Sequence, residues 1–361
     1  MNDKVTLMKG NEALAMAMIR YGADGYFGYP ITPQSEVLEK LEEEMPWDTT
    51  GMVVLQAESE VAAINMVYGG AMTGKAVCTS TSSPGFSLMQ EGVSYLAASE
   101  VPALLINVQR GGPGLGTIHA SQADYFQACK GGGHGDYHMI VLAPSSVQEM
   151  ADMVALGFDL AFKYRCVSMI LADGTIGQLM EKVVLPEQRP RRTEEQIRQQ
   201  CPWAVNGRKG MRPSNVVTSL ELDDDKMEEN NWRFQACYRE IEKNETRCEL
   251  IDVEDCDYLI TAFGTTARIA MKTMELARAE GIKVGMFRPI TLWPFPEKQL
   301  REAAKNVKGI LCVELNAGQM VEDVKLAVEC KMPVEHYGRF GGNVPTPDEL
   351  LNVLKEKLIN K

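Results

Sequence analysis

Six short apolar runs in the first half of the chain, Gly25–Tyr29, Met52–Gln56, Ala76–Thr81, Ala103–Val108, Met139–Ala143 and Val167–Ala172, are separated by stretches of helical periodicity. Those stretches are Asn11–Tyr21, Glu36–Met45, Glu60–Met72, Ser87–Ala98 and Val147–Tyr164. Alternation of strand and helix predicts parallel strands covered by helices on both faces. A second unit of the same kind begins with DYLITAFGT, which reads as strand then turn, followed by a helix over Thr265–Glu280 that Gly281 ends. KVGMFRPI and GILCVEL supply two more strands, and Gln319–Glu329 and Pro347–Leu358 two helices, the last with Thr346 as N-cap and Pro347 at the first helical position. Between the units, PEQRPRRTEEQIRQQ and LELDDDKMEENNWRF are charged and nearly aperiodic. They read as a linker wrapped over a surface, anchored by Trp203, Trp232 and Phe234, with helical turns near Trp232–Asn244. The expected fold class is therefore α/β, with two open parallel-sheet domains at residues 1–185 and 256–361 and a charged linker at 186–255.

Composition narrows the function classes. The 361 residues suit about two to three domains. A net charge of −12 with no offsetting basic stretch argues against nucleic acid or an anionic membrane as partner. No apolar run approaches the ~20 residues of a membrane span, and MNDKVTLMKGNEA does not read as a signal peptide, so a cytoplasmic location is expected. The nine cysteines are scattered and none forms a CxxC pair, which leaves no ferredoxin-type cluster or zinc ribbon in this chain and suits reduced thiols.

Four stretches carry chemistry. In QAESEVAAINMVYGGA, Glu60 shares a helical face with Ala63, Ile64 and Val67, whereas Glu58 looks along Val61, Ala62 and Asn65. A carboxylate on an apolar face is costly unless something shares its proton, or unless it sits in a solvated first turn. In GYFGYPITPQSE, Thr32 reads as an N-cap with Pro33 behind it, yet a strand-to-helix junction at the C-terminal edge of a parallel sheet is also where ligands bind. In LLINVQRGGPGLGTIHASQADYFQ, Arg110 follows an apolar strand, where it either grips a carboxylate in bidentate fashion or makes a surface salt bridge. Gly112, Gly114 and Gly116 are spaced GxGxG after the fourth strand, which reads as a flexible loop and not a dinucleotide fingerprint. His134 and His138 in GGGHGDYH are four apart, but the glycines make a helical metal site a poor reading.

Taken together, Tyr29–Ser35, the ESEVAAINMVYGG helix, Ser80–Gly92, INVQRGGPGLG, Ser121–Gln127, FRPITLWPFP and VELNAGQMVEDV resemble the α subunit of the 2-oxoacid:ferredoxin oxidoreductases, which are thiamine diphosphate enzymes. The likeness spans essentially the whole chain. It is greatest to the branched-chain members that act on 2-oxoisovalerate, with the 2-oxoglutarate members next. It implies a thiamine-enzyme pyrimidine-binding domain followed by a transketolase C-terminal-like domain. In such pyrimidine-binding domains one helix presents a Glu to N1′ of the aminopyrimidine ring, with a Gly nine positions later. Glu60 and Gly69 fit that spacing and Glu58 does not, so Glu60 is the expected catalytic residue. By the same resemblance Tyr29, Pro30 and Ile31 contact the cofactor, and Thr32 and Arg110 contact the oxo and carboxylate groups of the substrate. No metal ligands are expected here.

The missing motifs imply partners. Thiamine enzymes hold Mg²⁺ and diphosphate with a GDG motif and a later Asn, and the chain has no GDG. The resemblance therefore implies a β subunit with the Mg²⁺-diphosphate site and an iron–sulfur cluster, a small ferredoxin-like subunit and a γ subunit. It also implies ferredoxin as acceptor and coenzyme A as co-substrate. A non-catalytic interaction subunit of the same fold is the competing expectation; Glu60, Thr32 and Arg110 favour the active subunit.

Overall fold

The computed structural model describes residues 5–208, 210 and 212–360. Its largest sheet has seven strands in the spatial order Thr291–Trp293, Ile140–Leu142, Val167–Asp173, Ala103–Gln109, Val77–Thr81, Gly25–Gly28 and Val53–Gln56. All pair in parallel except Thr291–Trp293, which runs antiparallel to Ile140–Leu142. The three central strands are buried at every residue, as strands covered on both faces must be. Gly10–Tyr21 and Val147–Tyr164 pack together on one face, with Tyr21 stacked on Phe158 at 4.6 Å. Glu60–Met72 and Pro84–Ala98 pack together on the other. Both predicted helices and strands of this half are present, so the parallel α/β expectation holds.

Five strands were not anticipated: the three described next, and Cys248–Ile251 and Val334–Gly338 at the two edges of the second sheet. Val5–Lys9 and Met180–Val184 form a separate antiparallel ribbon. The strand Thr291–Trp293 belongs to the second half of the chain yet completes the first sheet.

The linker folds back over the first sheet. Arg191 donates to Asp24, Arg192 to the Gly74 carbonyl, and Val205 to the Met72 carbonyl. A 21-residue helix, Asp224–Asn244, extends the helical turns expected near its end. Phe234 is buried and Trp203 lies under the Arg165 guanidinium, so both anchor the segment. Trp232 does not: it is 62% exposed and its indole N–H donates to Glu228 on the preceding helical turn.

The second sheet runs Val334–Gly338, Gly309–Glu314, Tyr258–Ala262, Val284–Pro289 in parallel, with Cys248–Ile251 antiparallel at the edge. Thr346 caps the last helix in a capping box with Glu349, as its sequence indicates. The two sheets are joined by buried polar contacts. Asp173 accepts from the Thr265 N–H at 2.8 Å and its hydroxyl at 2.5 Å, and Gln122 bonds the Phe263 carbonyl and the Leu315 N–H. A charged tie adds to them: Arg288 donates to both oxygens of Glu149, at 2.9 and 2.7 Å, and to Glu249 at 2.7 Å.

Candidate active site

The C-terminal ends of Gly25–Gly28, Val53–Gln56, Val77–Thr81 and Ala103–Gln109 lie along one edge of the first sheet, because those strands are parallel neighbours. Every candidate residue follows one of these ends. Glu60 is the first residue of the helix Glu60–Met72, whose N-cap Ser59 accepts from the Ala62 N–H at 3.2 Å. Ala63, Ile64, Val67 and Ala71 form the buried face of that helix, and Glu60 is buried with them at 6% exposure. Glu58 is exposed and precedes the helix. Among the described residues the Glu60 carboxylate has neither a hydrogen bond nor an ion pair. At 6% exposure Glu60 is not an open, solvent-facing residue of that first turn.

The helix Pro84–Ala98 closes over Glu60 through Gly85. A Cβ at Gly85 would stand 2.6 Å from Glu60 Oε1 and 2.1 Å from Thr81 Oγ1, so only glycine lets the two elements approach this closely. The Thr81 hydroxyl beside it is buried and lacks a partner among the described residues. An unpaired carboxylate and an unpaired hydroxyl in one cradle are the complement of a polar ring that both donates and accepts.

Arg110 follows directly on Ala103–Gln109 and is 8% exposed. Among the described residues it makes no salt bridge, so a surface ion pair does not describe it there. Its Nη1 donates to the Thr32 carbonyl at 2.8 Å and its Nη2 to the Leu115 carbonyl at 3.0 Å, while Nε is buried without a partner. The glycine run makes the second bond feasible: Gly116 has φ +60°, and a Cβ there would stand 1.7 Å from the Gly111 carbonyl oxygen. The GxGxG segment is thus a tight loop that turns back onto Arg110.

Thr32 is not an N-cap. The helix begins at Ser35 with Gln34 before it, because Pro33's carbonyl is taken by Asn11 and Gln178 side chains and Gln34 N–H turns back to Ile31. Thr32 is exposed, and with Pro33, Glu36, Ile118, His119 and Val344 it lines a cleft of about 580 Å³. Tyr29 is exposed, and Pro30 and Ile31 are half-buried in the same turn, whose Tyr29 carbonyl accepts from Gln34 Nε2 at 3.3 Å. The structure thus joins Thr32 to Arg110 and sets Glu60 further along the same sheet edge. His138, by contrast, stacks on Trp293 at 4.6 Å, and burial holds its imidazole below the usual range, with a backbone hydrogen bond opposing.

Sequence reasoning passed over three residues that stand between these groups. Ser83, Asn107 and Asp124 are linked by hydrogen bonds of 2.6 to 2.9 Å. Burial pushes the Asp124 carboxyl up, against the hydrogen bonds from Ser83 and Asn107. TSSPG and SQAD gave no periodic or charge signal that would have singled them out.

Residues 16–245 match the thiamine diphosphate-binding family of pyruvate flavodoxin/ferredoxin oxidoreductases, and residues 256–350 match core domain II of pyruvate:ferredoxin oxidoreductase. The chain belongs to the 2-oxoacid:ferredoxin oxidoreductase family. It is 47% identical over 97% of both chains to the ketoisovalerate oxidoreductase subunit VorB of Methanothermobacter marburgensis. It is 34% identical to the 2-oxoglutarate synthase subunit KorA of the same organism, over 96% of this chain and 97% of that one. Among solved structures, the 2-oxoglutarate:ferredoxin oxidoreductase of Magnetococcus marinus, with 2-oxoglutarate, coenzyme A and succinyl-CoA bound, superposes with a TM-score of 0.84 at 28% identity. The alignment covers 98% of this chain and 65% of that one. The protein is thus a subunit of a thiamine-dependent 2-oxoacid oxidoreductase, a multi-subunit enzyme, and its Glu60 cradle lies within the thiamine diphosphate-binding family domain.

Proposed function

We propose that the chain is the α subunit of a 2-oxoisovalerate:ferredoxin oxidoreductase, which converts the 2-oxo acid and coenzyme A to acyl-CoA, carbon dioxide and reduced ferredoxin. The observation that carries this reading is Glu60, buried and unpaired in a cradle that only Gly85 allows. Thiamine diphosphate, when bound, supplies the carbanion-stabilising chemistry that the 2-oxo acid needs to lose carbon dioxide. Glu60 would share a proton with the ring nitrogen of its aminopyrimidine, which offsets the cost of burying the carboxylate. Tyr29, Pro30 and Ile31 would flank that ring, and Arg110 and Thr32 would hold the substrate's carboxylate and oxo groups.

The cleft beside Thr32 favours an apolar acyl chain. Its lining has Ile118, Leu179 and Val344, and the Lys9 ammonium at its edge is already taken by Glu36 and Gln178. A 2-oxoglutarate enzyme would need a second cation for the distal carboxylate. The similarity to VorB, greater than that to KorA, supports the same choice.

Mg²⁺, the diphosphate and the iron–sulfur clusters are assigned to partner subunits: a β subunit with the Mg²⁺-diphosphate site and a cluster, a small ferredoxin-like subunit and a γ subunit. Val61, Met66, Leu88 and Leu55, all 36–54% exposed around the Glu60 helix and its neighbours, form the face on which the β subunit would complete the site. A cytoplasmic location is proposed as well, in keeping with nine unpaired cysteines.

The test is the rate of C2 deuterium exchange of bound thiamine diphosphate in the assembled complex. Glu60→Gln should slow it by about 10²–10⁴, the range for losing a positioned acid or base, and Glu58→Gln should leave it within a few-fold. Normal exchange in Glu60→Gln would remove the basis of the reading.

A further inference from the structure

Glu60 and Arg110 sit on different elements, and among the described residues no hydrogen bond or ion pair joins them. What lies between is Ser83, the residue before the helix Pro84–Ala98, with φ 23° and ψ −80°. A positive φ is uncommon for serine and persists only where the surroundings over-determine it. The position is one where serine ordinarily caps a helix, yet the Ser83 hydroxyl makes no cap bond. It accepts instead from the Arg110 N–H at 3.0 Å and donates to Asp124 Oδ2 at 2.6 Å. The Ser83 N–H donates to Asn107 Oδ1 at 2.9 Å, and Asn107 Nδ2 donates at 2.9 Å to the same Asp124 oxygen. The Asp124 N–H closes the ring on Gln109 Oε1 at 3.1 Å, one residue before Arg110.

This ring joins three separate pieces of chain: the turn after Val77–Thr81, the end of Ala103–Gln109, and the loop before Tyr125–Cys129. Two residues beyond Ser83 stands Gly85, against Glu60 Oε1; on the other side of the ring hangs the Arg110 guanidinium. We propose that Ser83 and Asp124 are positioning residues, a clamp that sets the Glu60 cradle and the Arg110 guanidinium at one fixed separation. The clamp rests on the roles proposed above for Glu60 and Arg110 and adds to them how the two are kept in register. Among the described residues Asp124 forms no ion pair, and its carboxylate serves as an acceptor for the ring.

A residue that acts on both arms has a signature that neither arm has alone. Arg110→Lys should move KM for the 2-oxo acid, and Glu60→Gln should move C2 deuterium exchange. Ser83→Gly should move both, each by roughly tenfold or more, since small misplacements cost that much in a preorganised site. The same variant should fold and keep a melting temperature close to that of the original protein, because the relief glycine gives at the positive φ opposes the loss of the hydroxyl's hydrogen bonds. Asp124→Ala should behave like Ser83→Gly, Asp124→Asn should recover most of that loss, and the Ser83→Gly/Asp124→Ala double variant should be no worse than either single one. In the isolated chain, Ser83→Gly should speed hydrogen exchange of the Arg110 amide. Unchanged KM and unchanged C2 exchange in Ser83→Gly, with the two reference variants behaving as expected, would overturn the clamp alone. Unchanged C2 exchange in Glu60→Gln would instead overturn the reading of Glu60, and KM and the Arg110 amide would then decide the clamp.

Discussion

Arg110 donates from Nη1 to the backbone carbonyl of Thr32 at 2.8 Å, 78 residues earlier in the chain. The two residues expected to meet substrate are therefore already bonded to each other, through the backbone of one and the side chain of the other. With the Leu115 carbonyl on Nη2, the same guanidinium ties the strand end, the YPITP turn and the glycine loop into one unit.

That unit depends on a planar fork. Lysine keeps the charge but cannot reach two carbonyls in fixed directions. Arg110→Lys is expected to raise KM for the 2-oxo acid about tenfold, in line with roughly 1.5–3 kcal/mol per hydrogen bond to a charged group, and to change KM for coenzyme A much less. Steady-state kinetics of the assembled enzyme decide it: two unchanged constants would make Arg110 a structural residue.

Gly85→Ala puts a methyl group where Glu60 Oε1 and Thr81 Oγ1 now stand. The helices must part or Glu60 must turn away. C2 deuterium exchange is expected to fall at least tenfold while the variant still folds, checked by thermal melting and circular dichroism.

The pH dependence of stability carries a contribution from Glu149. Burial pushes its carboxyl up, but the Arg288 guanidinium and the Ser145 hydrogen bonds outweigh burial and hold it below the usual range. A depressed folded-state pKa gives stability that is present above the unfolded value, near ~4.3, and is lost as pH falls through the folded one. Glu149→Gln should lower stability by about 1.5–3 kcal/mol at neutral pH, and the difference should shrink toward zero in acid. Melting curves of both proteins from neutral pH downward test this. A gap that stayed constant would mean the pair adds nothing electrostatic.

Purified alone, the chain is expected to bind thiamine diphosphate weakly, because it offers Glu60 for the ring but no GDG motif for the diphosphate. Titration calorimetry on the isolated subunit and on the complex gives the comparison. Tight stoichiometric binding by the isolated subunit would overturn the division of labour between subunits.

The parallel sheets were legible because fully apolar strands and amphipathic helices differ in period, and Glu60 stood out because a carboxylate on an apolar helical face is costly. Arg110 was visible for the same kind of reason, as a charge directly after an apolar run. The Thr32 cap was misread: side chains from Asn11 and Gln178, far away in sequence, hold the Pro33 carbonyl and delay the helix to Ser35. Ser83, Asn107 and Asp124 were silent because their ring exists only once three separate pieces of chain meet. Trp232 misled for the opposite reason, since its helix presents it outward and its size alone suggested an anchor.

Thr291–Trp293 comes from the second half of the chain and lies at the border of the first sheet, against Ile140–Leu142. The two halves are consequently not separable pieces. A fragment ending before residue 291 would leave Ile140, Val141 and Leu142, now buried, along an unprotected rim ready to pair with another molecule. Attempts to dissect this subunit at the linker should therefore give clumped material unless that three-residue strand travels with the first half.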